Sequence, residues 1–210
     1  MKKENLTITN LYSLDRTISK ELLEQYVYPW EVLPHIKDFI LKLGETLSEE
    51  EYVKRGPNVW VHKTAKVFPS AYLGENIIVG KGAEIRHCAF VRENAIIGDG
   101  ATVGNSTELK NVILFESVEV PHYNYVGDSI LGYKVHVGAG TILSNCRLDK
   151  KKIKIENYPT NLNKLGSIIG ENVEIGCSSV LNPGTIIHSN IHILPLKNVK
   201  GIIRNNICVE

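Results

Sequence analysis

The chain has 210 residues, 24 basic against 23 acidic for a formal net charge of +1, and 43% hydrophobic residues. That length suits one main domain, and the near-neutral balance argues against a charge field for nucleic acid. No apolar run reaches the roughly 18 residues of a membrane span, and MKKENLTITN lacks the apolar stretch of a secretion signal, so a cytoplasmic protein without membrane or nucleic-acid partners is expected.

Residues 1–57 form the first region. LDRTISKELLEQY sets Leu14, Ile18 and Leu22 at helical spacing, and PWEVLPHIKDFILKLGE does the same with Val32, Ile36, Phe39, Ile40 and Leu43. Pro29 suits a first helical turn and Gly44 a C-cap. Two short helices are expected, as an arm that caps or flanks the larger region after residue 57.

An aliphatic residue then returns every six positions, at Val61, Val67, Leu73, Val79, Ile85, Val91, Ile97, Val103 and Leu109. Two positions earlier runs a register of mostly small residues, including Ala65, Ala71, Ala83, Ala89, Ala95 and Ala101. The phase slips by one at Leu114 and again at Leu131, continues through Val137 and Leu143, and resumes after a gap at Ile169, Ile175, Leu181, Ile187 and Ile193. This period fits neither a helix stripe of 3.6 residues nor hairpin strands; it is that of a parallel β-helix built from hexapeptides, three to a coil. The expected fold class is all-β: a β-helix over residues 58–195, a prism of about 30 Å, with a small N-terminal α-helical segment and a C-terminal tail, 196–210. Periodicity leaves the hand of the coil open.

Glycine is the commonest residue after the large aliphatics, as at Gly74, Gly80, Gly98 and Gly104, but Arg86, Arg92 and Lys110 are cations. Arg92 and Lys110 are eighteen residues apart, which stacks them on one corner in successive coils. Two like charges about 5 Å apart repel unless an anion such as a phosphate lies between them. The alternative is solvated surface charge, with Glu108 as a partner. In VPHYNYVGD, residues 120–128, Val120 and Val126 keep the interior register, so His122, Tyr123 and Tyr125 ride on an ordinary hexad and some must project outward. Imidazole there suits proton abstraction near neutral pH. The stretch 146–166, CRLDKKKIKIENYPTNLNKLG, has no hexad and carries Arg147, Lys150, Lys151, Lys152, Lys154 and Lys164. It is expected to leave the prism as a basic loop, placed to fold over a site on the preceding coil. Cys88, Cys146, Cys177 and Cys208 are widely spaced with no CxxC pair, and are read as free thiols in packing roles with no zinc site.

PHYNYVGDSILGYKVHVGAGTILSNCRLDKKKIKI and LGSIIGENVEIGCSSVLNPGTII resemble the acetyltransferase half of bifunctional N-acetylglucosamine-1-phosphate uridyltransferase/glucosamine-1-phosphate acetyltransferase, above all its archaeal-type sugar-1-phosphate relatives. H-x-x-Y-x-G-D followed by G-A-G-T and an asparagine is characteristic of that group. The resemblance spans residues 57–193 and, more weakly, PWEVLPHIKDFI. It implies a left-handed coil, a homotrimer, acetyl-CoA as co-substrate in a groove between subunits, and an amino-sugar phosphate acceptor, in UDP-N-acetylglucosamine biosynthesis. Position by position, it makes His122 the catalytic base and sets Tyr125 and Asn145 on the sugar phosphate. Arg92 and Lys110 fall on the phosphate, Glu108 on an acidic site residue and Lys151 on a loop lysine. His136 stands where the family has an asparagine, and Ala139, Gly140 and Cys177 fall along the acetyl-CoA site. The nucleotidyltransferase half, with its G-x-G-T-R-type loop, has no counterpart in the first 57 residues, so that activity is not expected. HILPLKNVKGIIRNNICVE is also short of the family's extra coils. The alternative reading is a non-catalytic trimeric module that binds a sugar phosphate or nucleotide sugar; a zinc hydratase of the hexapeptide type would need His62, His87 and His122 to converge.

Overall fold

The computed structural model describes residues 6–205; Cys208 lies outside them. The hexad register closes into a parallel β-helix. Pairs such as Lys66↔Glu84, Tyr72↔Phe90 and Ile77↔Ala95 place residues eighteen apart one above the other. On one side the stack rises through eight layers, from Val59–Val61 through Ile77–Val79, Ala95–Ile97, Val112–Leu114, Ser129–Leu131, Ser167–Ile169 and Thr185–Ile187 to Ile202–Ile203. At about 4.8 Å per layer the prism is roughly 34 Å tall. The coil runs on through residues expected to form a tail from 196, because Asn198–Val199 pairs with Val180–Leu181 and Ile202–Ile203 with Ile186–Ile187. Tyr52–Lys54 runs antiparallel to Val59–His62 at the lower end.

Side chains alternate in and out along each short strand, so each of the three faces has an outward ladder. One face carries Lys66, Glu84, Thr102, Glu119, His136, Glu174 and His192: a charged face. The next carries Tyr72, Phe90, Glu108, Tyr125, Ile142, Val180 and Asn198: an aromatic face. The third carries Trp60, Ile78, Ile96, Ile113, Ile130, Ile168 and Ile186, each at most 7% exposed although it points away from the prism interior.

The N-terminal arm covers that third ladder. It lies along the prism rather than across its end. Helix α1, Ile36–Gly44, buries Ile36, Phe39, Ile40 and Gly44, an i, i+3, i+4, i+8 stripe, and packs across strands Tyr72–Val79, Phe90–Ile97 and Glu108–Leu114. Gly44 sits so close to the Trp60 indole that a Cβ there would overlap the ring. Higher up, the Tyr12 ring packs tilted against Phe115 with centroids 4.9 Å apart, Ser13 N and Oγ donate to Glu171 at 2.6 and 3.0 Å, and Ser189 Oγ donates to Leu11 O at 3.4 Å. Pro29 does open a turn, the 3₁₀ segment Pro29–Glu31. The first expected helix survives only as single turns, Leu14–Arg16 and Lys20–Leu23, with Ile18 exposed between them. Thr17 explains this break: its Oγ1 accepts from Ser19 N at 3.1 Å, a local bond that competes with the helix. Among the described residues no helix is long and apolar enough to cross a membrane.

The phase slips have one origin, at the corner between the aromatic and arm faces. Three residues, Arg92, Glu93 and Asn94, turn that corner between Val91 and Ala95; one coil up only Lys110 and Asn111 do so, and then Gly127 and Asp128. A single left-handed residue makes each of these turns, Asn94, Asn111 or Asp128, with φ of 52, 54 and 47°, residue types that tolerate this conformation.

The basic insertion leaves the coil at this same corner. It is not merely a solvated loop: Lys154–Ile155 pairs antiparallel with Tyr158–Pro159, and Ile153, Ile155 and Leu165 are buried. The two isoleucines pack outside the prism interior, against the backbone at Gly184. Cys88 and Cys177 are exposed rather than packed, because both occupy outward corner positions; Cys146 is half-buried.

Candidate functional site

The predicted site residues divide between the two corners that flank the aromatic face. On the corner with the charged face, His122 is exposed. Gly140 N donates to His122 O at 3.0 Å and Ser178 N to Ala139 O at 2.8 Å, so His122, Ala139–Gly140 and Cys177 rise in a column, one coil apart. His122 N donates to the Asn124 side chain at 3.0 Å, and buried Asn124 donates on to Gly138 O at 2.8 Å. The backbone that presents the imidazole is thereby tied to the coil above.

The other corner gathers the polar residues. Tyr125 Oη accepts from Asn145 Nδ2 at 3.0 Å, and the same nitrogen donates to Asp128 Oδ2 at 2.6 Å. Lys110 Nζ lies 3.5 Å from Asp128 Oδ1, which also accepts from Asn111 Nδ2 at 3.0 Å. Arg92 Nη1 donates to Glu108 Oε1 at 2.9 Å. Gly127 makes the close packing possible: a Cβ there would come within 2.6 Å of both Asn145 Nδ2 and Tyr125 Oη. The insertion roots on the same residues, since Leu165 N donates to Asn145 O at 3.0 Å and Gly166 N to Asp128 O at 2.8 Å.

The stacked-cation expectation needs correction. Because the corner shortens by one residue, Lys110 lies above Glu93, and Arg92 is the bulged residue with no vertical partner. Each cation has its own acid, Glu108 for Arg92 and Asp128 for Lys110. The hydrogen bond that Arg92 donates to Glu108 holds the guanidinium pKa above its usual value. Burial pushes the Tyr125 phenol up, with Asp128 and Glu108 adding to the effect while Asn145 and Arg92 oppose it. What the corner offers a ligand is two paired cations, a phenol and a primary amide, half screened from water.

Two predicted residues stand apart in this chain. His136 is on the charged face, with Nδ1 2.9 Å from Glu119 Oε2. Lys151 is exposed in the insertion, where its backbone N donates to Asp149 at 3.2 Å. Of the histidines a zinc site would need, His62 bonds Thr64 at 2.9 Å and His87 packs on Phe68 at 4.4 Å. No group of three or more metal-ligating side chains occurs among the described residues. Asp128 and Asn111 are the polar members that the sequence reading left unassigned; Asp128 was visible as the last residue of H-x-x-Y-x-G-D.

Residues 82–208 match the family model described as GMPPB C-terminal domain, more than half of the chain. The bifunctional protein GlmU of Methanococcus maripaludis strain S2 is 41% identical over 168 residues, which cover 78% of this chain and 41% of that protein. The bifunctional sugar-1-phosphate nucleotidylyltransferase/acetyltransferase of Sulfurisphaera tokodaii is 35% identical over 97 residues, 44% of this chain and 24% of that one. The chain thus spans less than half the length of these curated relatives. Among solved structures, a hexapeptide transferase family protein from Anaplasma phagocytophilum superposes with a TM-score of 0.50 at 18% identity, over 62% of this chain and 69% of that one, a likeness of fold.

Proposed function

The chain belongs to the GMPPB C-terminal domain family, and from that premise we propose that it is an acetyl-CoA-dependent N-acetyltransferase acting on an amino-sugar phosphate, working as a homotrimer. The observation that carries this reading is the linked set Lys110, Asp128, Asn145 and Tyr125, with Arg92 beside it, on one corner of the aromatic face, with exposed His122 on the other corner of that face. His122 and Tyr125 are three residues apart, no more than about 11 Å of chain. The names of the relatives, a sugar-1-phosphate acetyltransferase among them, agree with that acceptor.

In this reading Arg92 and Lys110 hold the phosphate, and Tyr125 and Asn145 orient the ring. His122 takes a proton from the attacking amine as its nitrogen bonds to the thioester carbonyl. A backbone N–H steadies the oxyanion until the C–S bond breaks, and the proton goes to the departing thiolate. Ala139, Gly140 and Cys177, in the column above His122, would lie along the coenzyme. Free thiol should appear from acetyl-CoA only when an amino-sugar phosphate is supplied. The His122→Ala variant should lose at least about 100-fold in turnover; undiminished turnover would remove the histidine from the mechanism. Calorimetry that finds sugar phosphate bound but acetyl-CoA ignored would replace the enzyme with a non-catalytic sugar-phosphate module.

A further inference from the structure

One buried group stands behind three of the proposed ligand contacts without a part of its own. Asp128 is 5% exposed. Its carboxylate accepts from Lys110 Nζ, Asn111 Nδ2 and Asn145 Nδ2 at 3.5, 3.0 and 2.6 Å, and Asn145 passes the link on to Tyr125 at 3.0 Å. The four coils below show what the corner itself requires. There the left-handed position is always asparagine, Asn58, Asn76, Asn94 and Asn111, with φ of 52 to 57°. The lower three amides hydrogen-bond one to the next, at 3.2 and 3.0 Å. An amide therefore suffices for the turn, and the backbone does not demand a carboxylate at 128. A carboxylate can accept from three donors at once; an asparagine would turn its own NH₂ toward one of them.

We propose that Asp128 is the positioning residue of the sugar-phosphate subsite. It pins the Lys110 ammonium and sets the orientation of the Asn145 amide. Both Asn145 N–H bonds are then spent within the protein, on Asp128 and Tyr125, which leaves its carbonyl oxygen to accept from a sugar hydroxyl or amine. The Tyr125 oxygen is already an acceptor, so its proton is the one available to a phosphate or hydroxyl oxygen. Asp128 thus fixes which of the two groups accepts and which donates. Through Asn111, which also donates to Leu33 O at 3.3 Å, this arrangement extends to the arm.

The inference rests on the amino-sugar-phosphate reading, and Asp128→Asn tests it, because the corner already accommodates asparagine in four other coils. The apparent KM for glucosamine-1-phosphate, or its Kd by calorimetry, should rise about tenfold or more, with the acetyl-CoA KM and the melting temperature little changed. A large loss of melting temperature with an unchanged sugar-phosphate constant would make Asp128 structural and overturn the proposal. If that variant does not fold, Asn111→Gly decides: glycine adopts the same left-handed turn, the change removes one donor to Asp128 and should raise the same constant about threefold, and no rise overturns the proposal. A wild-type protein that turns over while Asp128→Asn matches it sinks only this inference. A wild-type protein that neither binds nor acetylates the sugar phosphate sinks both readings together.

Discussion

The arm face and the aromatic face are built from the same hexads, yet one is sealed and the other open. Both send large apolar side chains outward: Trp60, Ile78, Ile96, Ile113, Ile130, Ile168 and Ile186 on the first, Tyr72, Phe90, Tyr125, Ile142 and Val180 on the second. On the arm face these are almost fully buried, whereas Tyr72, Phe90 and Val180 keep 61, 41 and 40% of their surface exposed. Burial of each arm-face side chain contributes roughly 1.5–3 kcal/mol, so the arm and the coil stabilise each other. The difference shows that a β-helix can bury two kinds of ladder, one inside the prism and one beneath a strap, and keep a remaining face for ligands or other chains.

The sharpest way to break the comparison is a matched pair of truncations. Ile113→Ala, under α1, should cost about 3 kcal/mol and lower the melting temperature by roughly 6–12 °C. Phe90→Ala, on the open face, should cost less than about 1 kcal/mol in a single chain. Equal losses in a calorimetric scan would mean that the aromatic face is covered too, and sedimentation would then show whether a second copy covers it. A smaller effect is expected where the arm is fastened. Glu171→Gln weakens two bonds to Ser13 and should cost about 1 kcal/mol, with faster amide exchange over residues 11–16; unchanged exchange would mean that the remaining contacts, Tyr12 on Phe115 and Ser189 on Leu11 O, hold the arm without it.

The smallest effect is a pH dependence near the upper end of the coil. Burial lowers the His188 pKa, with Arg204 adding to the shift, and the buried Nε2 has no hydrogen-bond partner among the described residues. The unfolded chain therefore takes up the proton first. Stability should fall as pH drops below the ordinary histidine value of about 6.5, until the lowered native value is passed. His188→Asn should flatten that slope in melting curves recorded across the window, and an identical slope would assign the effect elsewhere.

The hexad register was legible because prism closure is periodic: Val61, Val79 and Ile97 must point inward wherever the corners fall. The arm-face ladder was also present, in VWV, IIV, AII, VIL, SIL, SII and TII, but a reading organised by the interior register passes over the residue between two inward ones. The helix expected from the apolar spacing of Val32 to Leu43 forms over Ile36–Gly44, after a 3₁₀ turn at Leu33–His35, and Gly44 is its last residue rather than its cap, which is Glu45. The N-terminal segment was over-read around Thr17, where one hydroxyl diverts the backbone. In the site, His122, Tyr125 and Asn145 were named through the family resemblance. Asp128 stood in the same motif without a role, since a motif shows which residues are present and not which donors surround them.

By itself, then, the sequence determined the period, the interior and the columns of residues that share a corner, because a strand alternates at two residues and three hexads must close. The tertiary structure alone decided the rest. One residue lost at a single corner set Lys110 above Glu93 and left Arg92 without a vertical partner, and three donors meet on one buried carboxylate there. The insertion and the arm meet that corner from distant parts of the chain, through Gly166 N on Asp128 O and Asn111 on Leu33 O.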